Sequence, residues 1–273
     1  MDFIFTVLGC GSSGGVPRIT GDWGACNPDQ PRNRRRRCSA LVTRRALDGT
    51  RTDILIDCSP DMRAQLLEAA TGFVDAVLFT HDHADQTHGI DDLRAMVYER
   101  RKRLDVWMDE ATSRTLESRF GYCFSTPHGS DYPPILENHI IGRDLAPIII
   151  NGAAGSLTVV PFQQIHGNID SLGFRIGNIA YSSDISDLPV KSFDSFEGVD
   201  IWVVDALRRE PHPTHFHLDK TLAMIEMLGV KQAVLTNLHI DLDYDELCRE
   251  LPPHIRPAYD GLEIVGQLGD LGN

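Results

Sequence analysis

The segment Thr80-His81-Asp82-His83-Ala84-Asp85-Gln86-Thr87-His88-Gly89 restricts this chain more than any other stretch of it. It opens at the end of Ala76-Val77-Leu78-Phe79, a run short and apolar enough to be a buried strand. His81, His83 and Asp85 stand at alternate positions, and His88 follows three residues after Asp85. Imidazoles and carboxylates are the donor set of zinc, manganese and iron. One histidine would say little, but this many donors crowded at a strand end predict a metal site. Such a site needs further ligands from neighbouring strand ends, so the chain should bring several strands to a common edge.

The rest of the chain supplies such strands. Residues 3–8 are apolar and β-prone, then break into Gly9-Cys10-Gly11-Ser12-Ser13-Gly14-Gly15-Val16-Pro17, a tightly turned loop that can approach a ligand closely. Gly14 is therefore a candidate substrate contact. Residues 39–43 and 53–57 flank Asp48-Gly49 and predict a β-hairpin. Helical spacing covers 60–70 and 90–100. In the second half, strand-like runs occur at 156–161, 172–176, 179–182, 200–205 and 232–236, with helical patterns at 218–228 and 243–250. Strands followed by helices, twice over, predict an α/β architecture: an αββα sandwich of two facing mixed β-sheets with outer helices. With no internal repeat or low-complexity linker, residues 1–273 read as a single domain.

Charge narrows the function. A net charge of −13 argues against a broad nucleic-acid-coating surface. Arg32, Arg34, Arg35, Arg36 and Arg37 are the local exception. They are either a solvated basic loop or a place where one or two guanidinium groups, Arg37 foremost, meet a substrate phosphate. No run approaches the roughly 18 apolar residues of a membrane span, and the first residues lack the basic and apolar regions of an export signal. The six cysteines form no C-x-x-C pair. Reduced thiols, a cytoplasmic location and no membrane partner are expected.

The histidine run resembles the H-x-H-x-D-H motif of the metallo-β-lactamase superfamily. The resemblance extends over nearly the whole chain, through Leu55-Ile56-Asp57 and Tyr181-Ser182-Ser183-Asp184. Within that superfamily, Gly15-Val16-Pro17, Arg37-Cys38-Ser39 and Asp260-Gly261-Leu262-Glu263-Ile264 resemble the phosphoribosyl cyclic phosphodiesterases of the carbon–phosphorus lyase pathway. The resemblance implies two divalent metal ions, zinc or manganese. It makes His81, His83 and His166 ligands of the first, Asp184 a bridge, and Asp85 a ligand of the second. Gln86 and Asn237 depart from it, since histidines are expected at both places and both serve the second metal. The second site should therefore be weaker, with Gln86 offering oxygen and His239 taken as the replacement ligand. His88 should stand behind the ligands. A single cysteine, Cys26, remains where the relatives carry a structural zinc cluster, so no structural zinc is expected.

The same resemblance makes His215 the acid that protonates the leaving oxygen and places it beside the substrate, with Asp85 and Asp184 serving catalysis through the metals. His212 and His217 read equally well as surface residues. The expected function is hydrolysis of a small cyclic or nucleotide-like phosphodiester, in which metal lowers the pKa of a bound water. An RNA-processing nuclease, or a nucleotide-binding protein without turnover, are the alternatives. Nucleic acid is a poor partner for this charge, and a homodimer is compatible with the sequence.

Overall fold

The run Phe3-Ile4-Phe5-Thr6-Val7 is aromatic and β-branched, and it forms the first strand, β1 (Asp2–Gly9). The computed structural model describes residues 2–269; Met1 and residues 270–273, which the single-domain expectation includes, lie outside the described residues. β2 (Ser39–Arg45) and β3 (Arg51–Ile56) pair antiparallel as the predicted hairpin, with Gly49 at φ 85° in its turn. That left-handed angle strains a residue with a side chain and suits glycine. α1 (Met62–Glu68) then leads to β4 (Ala76–Leu78). After it come the short α2 (Ala84–Thr87) and α3 (Arg94–Arg100), then β5 (Leu104–Met108), α4 (Glu110–Phe124) and β6 (Leu136–Ile140). The second half holds β7 (Ile148–Ile150), β8 (Leu157–His166), β9 (Ile169–Ile176), β10 (Ile179–Ser182) and β11 (Ile201–Asp205). α5 (Leu218–Leu228), β12 (Gln232–Thr236), α6 (Tyr244–Glu250), β13 (Ile255–Pro257) and β14 (Leu262–Gln267) complete it.

These strands form two seven-stranded sheets, ordered β14-β1-β2-β3-β4-β5-β6 and β13-β12-β11-β10-β9-β8-β7. Each sheet is mixed in the same way. Antiparallel pairs join β14 through β3, and β7 through β10; parallel pairs carry each sheet onward to β6 and to β13. Parallel strands need crossovers, which is why the helices fall where they do. Asp109 and Asp243 start α4 and α6 by accepting the backbone N–H of Thr112 and Glu246, at 2.7 and 3.0 Å. The architecture is the αββα sandwich with outer helices.

Alternation along each strand sorts the core. Phe5, Val42, Ile54, Ile56 and Leu78 of the first sheet meet Val159, Phe174, Tyr181 and Val203 of the second. The opposite faces carry Leu41, Leu55, Val77 and Val106 against α1, α3 and α4, and Trp202, Val204 and Leu235 against α5 and α6. The parallel strands are buried on both faces and so read as continuous apolar runs. Each such side chain stabilises the fold by about 1.5–3 kcal/mol. The carboxyl ends of β3, β4, β8, β10, β11 and β12 are where the chain turns polar: Asp57, Thr80-His81, His166, Asp184, Asp205 and Asn237. Among the described residues, no helix is long and apolar enough to cross a membrane.

Candidate metal centre

Three histidine rings face one another at these strand ends. The ring centroids of His81, His83 and His166 lie 4.5–5.1 Å apart, in edge-on pairs. The orientation of His81 is set from below. The Thr80 backbone N–H and hydroxyl donate to the two oxygens of buried Asp57, at 2.8 and 2.9 Å. With its proton given to Asp57, the Thr80 oxygen accepts from His81 Nδ1 at 3.0 Å. The Nε2 lone pair of His81 is left buried with no hydrogen-bond partner. His166 is held similarly: Nδ1 donates to the Thr214 carbonyl at 2.6 Å, and Nε2 faces His83 Nδ1 at 3.2 Å. Histidine ligands are commonly fixed through the second ring nitrogen in this way. Burial pushes the His81 imidazole well below its usual range, and His83 and His166 add to the effect. Burial, then His215, take His166 down to about 4. Both rings are neutral and keep their lone pairs.

Carboxylates adjoin this trio. Asp184, Asp57 and Asn237 all adopt left-handed φ, at 50°, 64° and 59°, where β10, β3 and β12 end. Strained backbone of this kind aims a side chain across the strand ends. A donor group of His166, Asp184 and His215 has all its atoms within 4.8 Å of one another, and the same spacing holds for His81, His83 and His166. Burial raises Asp184 to about 8, with His215 pulling it down and Asp85 and Asp205 pushing it back up. Buried lone pairs beside mutually repelling carboxylates are the charge and donor arrangement that a divalent cation satisfies.

His215 sits at the edge of this group. Its Nδ1 is 2.7 Å from Oδ2 of the fully buried Asp205, and its Nε2 is 3.9 Å from Asp184 Oδ1. Burial alone would lower this imidazole, but Asp205, then Asp184 and Asp85, overcome it and hold the group at about 9. Asn237 Nδ2 approaches the same ring at 3.3 Å, and Cys38 Sγ lies 3.8 Å from its Oδ1.

The structure thus brings together His81, His83, His166, Asp184 and His215. A cavity of about 490 Å³ is lined by His83, Asp85, His166, Asp184, His215 and Gly14, which puts the Gly-rich turn in the same cavity as the ligands. Four expectations are redrawn. Gln86 does not turn its oxygen to the carboxylates: Nε2 donates to Asp184 Oδ2 at 3.0 Å and lies 3.5 Å from Asp85 Oδ2, while Oε1 is buried without a partner. His239 lines the cavity but stands apart from the donor groups, its nitrogens 2.5 Å from Arg18 and 2.8 Å from Asp241. His88 is exposed and edges onto Phe120 at 5.6 Å. Arg37 does not line this cavity; its Nε is 2.9 Å from Asp61 Oδ2, in a different hollow.

The whole arginine run is accounted for in that way. Arg32 lies over Tyr244 and Tyr259, Arg34 over Trp23, and Arg36 pairs with Asp260 and Glu68. Arg35 is 2% exposed and donates to the Leu242 and His239 carbonyls, at 2.7 and 3.3 Å. What meets the Gly-rich turn is the backbone of the run: a Cβ at Gly9 would stand 2.1 Å from the Arg37 carbonyl. Sequence reasoning missed Asp205, Arg18, Arg208 and Asp241. Asp205 left a signal, a carboxylate closing the apolar run Ile201–Val204; the other three left none.

Comparison with known proteins agrees with this geometry. Residues 52–240 match the model of the beta-lactamase superfamily domain. A diphosphatase from the PhnP family shares 35% identity and a TM-score of 0.86, with 98% of each chain covered. The zinc-bound PqqB of Methylobacterium extorquens (17% identity, TM-score 0.70, 96% of this chain and 99% of that one) shares the fold. An octanoyltransferase of Porphyromonas gingivalis is 34% identical over 264 residues; these cover 95% of this chain but 51% of that protein, so the chain spans about half its length. The strand-end histidines, the two mixed sheets and the matched span agree: this chain belongs to the beta-lactamase superfamily and has the metallo-β-lactamase fold.

Proposed function

We propose that the chain hydrolyses small, nucleotide-like phosphodiesters. The observation that carries this reading is the shared cavity, whose lining joins the histidine–aspartate donors with a Gly-rich turn and with Arg18 and Arg208. Such a lining suits a compact anion better than a neutral amide or thioester. His81, His83 and His166 would hold one divalent cation, zinc or manganese, with Asp184 beside it. Asp85 and Asp184 offer charge to a second and weaker one, where the Gln86 amide now donates. Metal bound there would supply Lewis acidity, lower the pKa of water and offset phosphate charge.

The chain's own residues do the rest. Asp205 takes the Nδ1 proton bond of His215, which leaves Nε2 directed past Asp184 at the cavity. A proton at that nitrogen can pass to a leaving sugar oxygen, which departs poorly as an alkoxide. The oxygen of water bonds to phosphorus, the P–O bond to the leaving group breaks and that oxygen takes the Nε2 proton, while the proton shed by the water returns to Nε2. The Gly14 turn lets backbone come close to the phosphate without a side chain intervening. The name of the 35%-identical diphosphatase supports cleavage at phosphorus.

The test is hydrolysis of bis(p-nitrophenyl) phosphate by protein loaded with zinc or manganese, beside a chromogenic β-lactam and a thioester. Phosphodiester turnover that stops on chelation is expected. β-Lactam or thioester turnover without phosphodiester turnover would overturn the reading.

A further inference from the structure

The loop between β11 and α5 brings a second histidine into the cavity beside His215. His212 lines the same cavity, with its ring centroid 5.1 Å from that of His215. Pro211 and Pro213 flank it. Each proline fixes its own φ, and Pro213 keeps the residue before it out of helical backbone, so His212 stands on a stiffened stretch of chain. Thr214, two positions on, is anchored twice. Its carbonyl accepts from His166 Nδ1 at 2.6 Å, and its side chain packs so closely on Gly167 that a Cβ there would collide with Thr214 Cγ2.

The hydrogen bonds of His212 fix where its proton sits. Nδ1 is 3.3 Å from the Thr214 backbone nitrogen and 3.2 Å from the Thr214 hydroxyl. A backbone N–H can only donate, so Nδ1 keeps its lone pair and the neutral ring carries its proton on Nε2. Among the described residues, Nε2 has no hydrogen-bond partner. His215 is the opposite case, since Asp205 takes its Nδ1 proton and lets Nε2 hold a second one for release. His212 instead offers an N–H that stays on the ring, because a neutral imidazole is a very weak acid. Such a group can stabilise negative charge without transferring a proton.

We infer that His212 is a substrate-binding residue whose Nε2–H donates to a non-bridging oxygen of the scissile phosphate. The inference rests on the proposed phosphodiesterase reading of this same cavity. Two rings with centroids 5.1 Å apart can reach adjacent oxygens of one phosphorus, and His215 serves the leaving one. Attack by water gathers negative charge on the non-bridging oxygens, and a donor already held in place meets it without reorganising. The hydrogen bond strengthens as that charge grows, so it favours the transition state over the bound ester.

Two variants separate this role from support of the loop. In His212→Asn the amide oxygen falls where Nδ1 stands and keeps the Thr214 contact, but nothing replaces the Nε2–H. In His212→Gln the amide nitrogen reaches the place of Nε2 and keeps a donor there. On bis(p-nitrophenyl) phosphate, metal-loaded His212→Asn should lose about 10- to 100-fold in kcat/KM, mostly in kcat, the range of a hydrogen bond to a charged group. His212→Gln should recover part of that loss. Metal content and unfolding temperature of His212→Asn should match the wild type. The loss should appear even though p-nitrophenolate leaves without a proton, which distinguishes His212 from an acid. Wild-type kcat/KM in His212→Asn would overturn the inference and leave the proposed function standing. Equal losses in the two variants, or loss of metal in His212→Asn, would make His212 a support for Thr214 and His166 and overturn it too. No phosphodiester turnover by the wild-type protein would overturn both.

Discussion

Thr80 touches no substrate and no ligand lone pair, yet the structure makes it the residue that prepares His81. Replacing it with valine keeps the shape of the side chain and removes the hydroxyl. Asp57 Oδ2 then loses its 2.9 Å donor while Oδ1 keeps the Thr80 backbone N–H, and His81 Nδ1 loses its 3.0 Å acceptor. Each buried polar group left unpaired costs about 1–3 kcal/mol, so the two left by Thr80→Val should destabilise the metal-free chain by roughly 2–6 kcal/mol. Metal affinity should fall as well, because His81 can now turn or carry its proton on Nε2. Loss of such a supporting partner typically weakens binding about 10- to 100-fold, or about 1.4–2.8 kcal/mol. Calorimetric titration with zinc and with manganese, beside thermal unfolding with and without metal, separates the two effects. Thr80→Ser retains the hydroxyl and should bind metal nearly as the wild type does. A folded Thr80→Val protein with wild-type metal affinity would refute the Asp57–Thr80–His81 argument.

Other perturbations address other parts of the site. His215→Ala should keep its metal and lose about 10²–10⁴-fold on a diester with a sugar leaving group, and much less on a p-nitrophenyl ester that leaves without a proton; metal loss on assay by atomic absorption would make His215 a ligand instead. Gln86→His replaces an amide that donates to Asp184 with an imidazole, and calorimetry should show tighter binding of a second zinc. Unchanged stoichiometry and affinity would show that position 86 does not govern that site. Arg35→Met should lower stability by at least about 2 kcal/mol, since it strips a charged donor from the buried Leu242 carbonyl. Denaturant unfolding should show a much smaller change for Arg34→Met, whose partner is the face of Trp23.

The sandwich and the donors grouped at its strand ends were legible because their signals are local or carried by the resemblance. His81, His83 and Asp85 follow a single strand, and His166 and Asp184 each close an apolar run. The hairpin at Asp48-Gly49 and the helices α5 and α6 carried turn and periodicity signals that the structure follows closely. The patterns gave no assignment to 101–155, where β5 and β6 pair across the sheet through the whole of α4. The arginine run misled in the opposite direction. Its partners, Asp260 for Arg36 and Tyr244 for Arg32, lie more than 200 residues away, so a dense local charge looked free when it was spent. His239 shows the same limit. Its spacing after Asn237 resembled a displaced ligand, but Arg18, which meets it, is 221 positions earlier. Residue types reveal what chemistry is affordable; which groups consume one another is decided by the packing of distant strand ends.

The central claim is that His81, His83, His166 and Asp184 together hold a divalent cation. Anomalous diffraction at the zinc and manganese edges, from crystals soaked in each metal, tests it most directly. The account predicts a peak at about 2.0–2.2 Å from imidazole nitrogens of all three histidines, with an Asp184 oxygen in its coordination sphere. The same peak should vanish in His83→Ala. A peak that lies elsewhere in the cavity, or one that persists at full height without the His83 ring, would contradict the account.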